Sequence, residues 1–233
     1  MTNGTATLEP VATPAPAQLL RDLEPGVPIR LCGLNWNDYL GVSNLIGDRP
    51  LRTFYSDGEM EILMPSYAHE IWIVVLDTLI KALASELSMP LKGFGTSTFR
   101  RDDLEKGLES DRCYYLTNAA RVRGKMRLDL GIDPPPDLAV EIEISRSAAK
   151  RMPIYAALRV PEVWRFDGET LKVHQLVANG EYLIVERSQY FPYLPIEELV
   201  RFVKMQDQLD DTELDAAFRA WVREQIARNW KNS

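Results

Sequence analysis

Three consecutive prolines, Pro134-Pro135-Pro136, run straight into Asp137-Leu-Ala-Val-Glu141-Ile-Glu143-Ile144, and no other stretch constrains this chain so tightly. Proline cannot donate to a strand ladder, so the triplet is a rigid lead-in and not part of a central strand. The next eight residues alternate with a period of two. Leu138, Val140, Ile142 and Ile144 share one face, and Asp137, Ala139, Glu141 and Glu143 share the other. Glutamate is a poor strand former, and two on one face repel each other. Two residues along a strand span about 6.6 Å, so both carboxylates can reach one hard cation. Two readings stand: a face solvated on one side of an antiparallel sheet, or a carboxylate pair for a metal ion.

The surrounding pattern is mixed α/β. Asp57-Gly58 marks a hairpin turn, with a strand leaving it over residues 60–64. Ser66 is a candidate N-cap for a long helix. Its apolar residues Trp72, Val75, Leu76, Leu79, Leu83 and Leu87 recur at helical spacing. Residues 91–99 read as one strand, 100–109 as a charged connection and 111–116 as another strand. After the acidic strand, a short helix over 145–158 must keep Pro153 in its first turn. A meander follows over 162–185, turning at Asp167-Gly168 and Asn179-Gly180. The chain closes in helices over 196–204 and 213–230. Residues 36–63 read as short irregular elements before the hairpin. The resulting order is αβββαβ, with added N-terminal strands and C-terminal helices. The expected organisation is a Pro/Ala/Thr-rich tail over 1–28, one domain over 29–206, and a C-terminal helix over 207–233 packed on that domain.

Composition removes several classes. The 233 residues contain two cysteines and two histidines. Cys32 and Cys113 have no paired spacing, which leaves no disulfide framework and no Cys- or His-rich zinc site. With no signal-like start, a cytoplasmic location is expected. The densest apolar run, residues 71–76, is too short to span a bilayer, so no membrane association is expected. The charge of −7 argues against a protein held on DNA by bulk charge. The distribution is uneven, however. Residues 100–127 carry eight basic against five acidic residues, and residues 146–165 carry five against one. A local basic groove around the acidic strand is compatible with these counts, with a grip that weakens as salt rises.

If Glu141 and Glu143 hold a cation, a further carboxylate must come from a neighbouring strand, because four strand residues place Asp137 about 13 Å from Glu141. Asp111 is best placed, and Asp137 reads as structural. Lys150 and Arg151 open the next helix, where a cation can point back over the strand end and offset charge on a phosphodiester transition state. The bland alternative is an exposed basic pair. His69 reads as a partly buried cap or as an accessory base. Glu59, Glu61 and Glu70 are nearby carboxylates that no spacing separates, and Glu61 is an accessory candidate. His174 and the aromatic set Trp72, Tyr155, Trp164 and Phe166 read as packing.

Several runs together resemble a known family: Gly95-Thr-Ser-Thr-Phe-Arg100, Glu109-Ser-Asp111-Arg-Cys-Tyr-Tyr115, the acidic strand with its prolines, and Ile154-Tyr-Ala-Ala-Leu-Arg-Val-Pro-Glu-Val-Trp164. They resemble the Uma-type restriction-endonuclease family of the PD-(D/E)xK nuclease superfamily over about residues 35–205. The resemblance implies a restriction-endonuclease-like αβββαβ core, DNA as substrate and a divalent cation, Mg²⁺ or Mn²⁺. It maps the superfamily's two acidic positions to Asp111 and Glu141. Glu143 stands where the superfamily has lysine, so the basic role passes to Lys150 or Arg151. Arg151 is the closer match in the register set by Tyr155, and arginine can stabilise charge but cannot act as a general base. A catalytically silent nuclease-fold module is the alternative. Double-strand cutting needs two sites, which suits a homodimer.

Overall fold

A computed structural model describes residues 23–143 and 151–228. The described residues build two sheets and five α-helices. The first sheet contains β1 (Ile29–Cys32), β2 (Arg52–Ser56), β3 (Glu59–Leu63), β5 (Ser97–Arg101) and β6 (Lys106–Ser110), in the order β1-β3-β2-β6-β5. The second contains β4 (Lys92–Phe94), β7 (Arg112–Tyr115), β8 (Leu138–Ile142), β9 (Glu162–Phe166), β10 (Leu171–Leu176) and β11 (Tyr182–Val185). Its order is β11-β10-β9-β8-β7-β4. Every pairing is antiparallel except β8 with β9. A parallel neighbour requires a crossover, and helix α3 (Met152–Ala157) lies in this one.

Taken in chain order, α2 (Tyr67–Glu86), β4, β7, β8, α3 and β9 reproduce the αβββαβ order, with β5 and β6 inserted into the first sheet. Asp57 and Gly58 both adopt positive φ, at 54° and 80°, as a two-residue hairpin turn demands. The Ser66 hydroxyl accepts from the His69 amide and caps α2, whose face of Ile73, Leu76, Leu79, Ile80 and Leu83 is buried.

Three local expectations change. Residues 91–99 are not one strand, because the chain leaves β4 at Gly95 and enters β5 in the other sheet. The charged stretch 100–109 holds the end of β5, a 3-10 turn (Asp102–Leu104) and β6. β5 is an edge strand, where exposed charge is tolerated and even protective. Residues 36–63 also contain a regular helix, α1 (Trp36–Ile46), closed by a capping box between Asn35 and Asp38. Gly41 interrupts its apolar pattern, and Asn-x-x-Asp is a less familiar start signal than Ser-x-x-Glu. Most of the expected tail, residues 1–22, lies outside the described residues. Leu23 is already buried, with Trp36 and Tyr39 of α1.

The layers follow from these faces. Tyr114, Leu138, Val140, Ile142, Trp164 and Phe166 of the second sheet meet α2, α4 (Ile196–Lys204) and α5 (Asp211–Ala227). Glu86 of α2 accepts from Arg219 and Arg223 of α5, at 3.2 and 2.8 Å, which pins the C-terminal helix to the long one. The opposite face of that sheet, with Cys113, Ala139 and Val163, looks toward Phe54, Leu63, Phe99 and Leu108 of the first sheet. Ile154 and Tyr155 of α3 complete this middle layer. Between β6 of the first sheet and β7 of the second, the chain passes through a single residue, Asp111. Among the described residues no helix is long and apolar enough to cross a membrane.

Gly168 tests the β9–β10 corner. Its φ is +94°, and a Cβ there would come within 2.5 Å of the Trp72 ring of α2. Gly168→Ala therefore combines backbone strain with overpacking and should destabilise by about 1–3 kcal/mol. The denaturant midpoint should fall with an unchanged m-value.

Candidate active site between the sheets

Asp111 and Glu141 face each other in the middle layer. The β7–β8 register pairs Arg112 with Val140, so one step further it sets Asp111 opposite Glu141. Both are buried, at 0% and 1% exposure. Strand β8 is buried along its whole length, which removes the solvated-face reading of the alternation.

Each carboxylate is fully engaged. Asp111 Oδ2 accepts from the Ile142 amide at 2.9 Å and lies 3.1 Å from His69 Nε2. Its Oδ1 lies 3.4 Å from Arg52 Nε. Arg52 reaches on to Glu70 Oε1, also at 3.4 Å, and His69 Nδ1 is 3.4 Å from the same oxygen. Glu141 Oε2 accepts from Arg151 Nη1 at 2.5 Å, and Glu141 Oε1 accepts from the Tyr155 hydroxyl. Arg151 is the N-cap residue of α3. Tyr155 follows Arg151 by four positions, so one helical face delivers both donors to one carboxylate. The Arg151 guanidinium lies 3.7 Å over the Phe54 ring, and its Nη2 is 3.9 Å from Glu61 Oε1.

The two carboxylates are pushed in opposite directions. Burial raises the Glu141 pKa, and the Asp111 charge raises it further. Arg151 and Tyr155 pull against them, and the balance is about 7. Burial raises Asp111 as well, but His69, Arg151 and the Ile142 amide outweigh it and hold this carboxyl below its usual range. Environment thus separates two carboxyls of similar intrinsic acidity, a common property of functional sites.

The other expected residues are distributed differently. Glu143 lies just beyond β8, and its carboxylate pairs with Arg165 of β9 and not with Glu141's partners. Parallel pairing puts Arg165 beside Glu141 in register, within reach of the next acidic side chain along. Lys150 lies outside the described residues. Glu59 sits at the exposed end of β3. Asp137 accepts from the Leu116 amide at 2.7 Å and from the Asn118 amide at 3.1 Å, tying off the far end of the β7–β8 pair. His174 is buried on β10, where burial, then Arg165 and Lys172, push its pKa down to about 4.

Two residues escaped the sequence reading. Tyr155 packs in the core, yet its hydroxyl belongs to Glu141, and the Arg151-x-x-x-Tyr155 spacing was the available signal. Arg52 had none, because its partner is 59 residues away on the opposite sheet.

A family-level comparison identifies the chain. The model of the Uma2 family, described as "Putative restriction endonuclease", matches residues 36–206. The chain belongs to the Uma2 family. No curated protein matches it. Among solved structures it is similar to one described as "a putative nuclease belonging to DUF820" from Anabaena variabilis. The two share 14% identity at a TM-score of 0.50, over 73% of this chain and 99% of that one. A second match is the type IIG restriction endonuclease BpuSI, at 13% identity and a TM-score of 0.35, over 69% of this chain and 17% of that one. The Uma2 match spans the whole site, from α1 through α4.

The raised Glu141 pKa has a testable sign. The folded state holds this proton more tightly than the unfolded chain does, with a pKa of about 7 against 4.5. Stability contributed by protonated Glu141 is therefore full below pH 4.5 and is lost as pH rises through about 7. Melting temperature followed over pH 4.5–8 should decline less for Glu141→Gln than for the wild type.

Proposed function

We propose that this Uma2 protein is a metal-dependent endonuclease hydrolysing DNA phosphodiester bonds, with Mg²⁺ or Mn²⁺ held by Asp111 and Glu141. The observation that carries this reading is the convergence of these two buried carboxylates, from adjacent strands, at the passage between the sheets. The donor set suits the ion. Among the described residues no three His, Cys, Asp or Glu side chains are grouped to hold a metal. Mg²⁺ does not require such a cage, since it typically takes one or two carboxylates and completes its shell with water and substrate phosphate. Glu143, paired with Arg165, assists through a water or a second ion.

When bound, the ion supplies Lewis-acid polarisation of the phosphodiester. The protein's own groups do the positioning. His69 and the Ile142 amide fix the orientation of Asp111, and Arg52 braces it from the facing sheet. Tyr155 fixes Glu141. Arg151 supplies permanent positive charge beside the place where the phosphoryl group gains negative charge, and it takes no proton because guanidinium does not deprotonate here. Lys150, the other basic candidate, is adjacent in sequence. Two such sites in a homodimer would cut both strands.

One observation favours the silent-module reading. Every oxygen of Asp111 and Glu141 already has a protein partner. Supercoiled plasmid incubated with the purified protein and Mg²⁺ or Mn²⁺ separates the two. The nuclease reading expects nicking that EDTA abolishes and that Asp111→Asn and Glu141→Ala reduce by about a hundredfold or more. Equal nicking by all three proteins, or no metal binding in calorimetry, overturns it.

A further inference from the structure

The cation nearest Glu141 is already present in the chain, so a divalent ion has to displace or share with the Arg151 guanidinium. The structure contains a second seat for that group. Arg30, Glu61, Phe54, Leu108 and Phe99 form one row across the first sheet, through the pairings Arg30↔Glu61, Phe54↔Glu61, Phe54↔Leu108 and Phe99↔Leu108. The row places the Glu61 carboxylate beside the Phe54 ring. Arg30 Nε, 3.3 Å from Glu61 Oε2, holds one oxygen. The other, Oε1, is buried, has no hydrogen-bond partner and lies 3.9 Å from Arg151 Nη2. Glu61 is 7% exposed.

We infer that Glu61 is a positioning residue that receives the Arg151 guanidinium when a divalent cation takes Glu141. The inference rests on the metal-dependent reading above. The travel is small, since a charge-assisted hydrogen bond at about 2.8 Å is roughly 1 Å closer than the present separation. The path is smooth as well. A planar guanidinium 3.7 Å above a flat ring can slide across the face and keep its attraction to the ring throughout. Space is available, because a cavity of about 250 Å³ is lined by Phe54, Met60, Glu61, Arg151 and Ile154. Two arguments drive the move. An arriving dication repels the guanidinium strongly at this range in a poorly solvated interior. An unmatched buried carboxylate oxygen is costly until it gains a donor. Arg151 thus neutralises Glu141 before the ion binds and Glu61 afterwards, and its charge stays in the site in both states.

Calorimetric titration of Mg²⁺ alone into the full chain tests this as a double-mutant cycle. Glu61→Gln should weaken Mg²⁺ binding by about tenfold in the wild-type background, because Arg151 loses its second seat. In an Arg151→Gln background the same change should alter affinity by less than about twofold. Equal weakening in both backgrounds would make Glu61 a direct ligand and overturn the inference, as would no weakening in either. A second arm needs no Arg151 variant to fold. With ¹⁵N-labelled arginine, Mg²⁺ should shift the Arg151 side-chain resonances in the wild type and leave them in place in Glu61→Gln, whereas unmoved resonances in a Mg²⁺-saturated wild type overturn it. A wild type that binds no Mg²⁺ removes the metal reading itself, a result distinct from binding that ignores Glu61.

Discussion

A carboxylate pair enclosed between two sheets is the constraint around which this fold is arranged. Moving two like charges out of water is strongly unfavourable unless each finds donors and countercharge. Strand β8 supplies Glu141 and one direct donor, the Ile142 amide, and Asp111 stands immediately before β7. Everything else that compensates them comes from other elements: Arg52 from β2, His69 from the first turn of α2, and Arg151 with Tyr155 from α3. The first sheet is therefore more than an embellishment of the αβββαβ core. Without its Arg52 and its Phe54 ring, the interior acids would lack one brace and the surface on which Arg151 rests.

The same compensation reconciles the charge pattern with the proposed chemistry. The chain is acidic as a whole, and its basic residues concentrate in the two segments that flank the acidic strand. Some of those cations are consumed internally, Arg151 by Glu141 and Arg165 by Glu143. What remains for a nucleic acid is local. The acidic total argues only against tight, indiscriminate binding.

The parts of this architecture readable from sequence were those with a periodic or stereochemical signature. The period of two in β8, the helical spacing of α2 and the Asp-Gly turn each report a local geometry, and each forms where expected. Asp111 was reachable by reach alone, since Glu141 needed a partner on an adjacent strand. Contacts between sheets carry no such signature. Arg52 and Glu61 lie 59 and 90 residues from their partners Asp111 and Arg151, and nothing along the chain announces which strand will face which. Glu143 shows the complementary case. Its spacing from Glu141 suits a shared ion, and only the neighbouring strand reveals the arginine, Arg165, that its carboxylate pairs with. Strands β5 and β6 were hidden by the charges between and around them, which sit at the edge strand β5 and the turn after it and looked like a loop.

Asp111 is also a stretch of backbone, the single residue that joins β6 of the first sheet to β7 of the second. Any relative displacement of the two sheets is transmitted to that carboxylate without an intervening linker. The site consequently has no shallow, private way of coming apart: separating its members means separating the layers, and with them the Phe54, Phe99 and Tyr155 core. Precision of the two acids and cohesion of the sandwich are a single mechanical property. A substitution deep in that core, far from any charge, is equivalent to a change in the aim of Asp111.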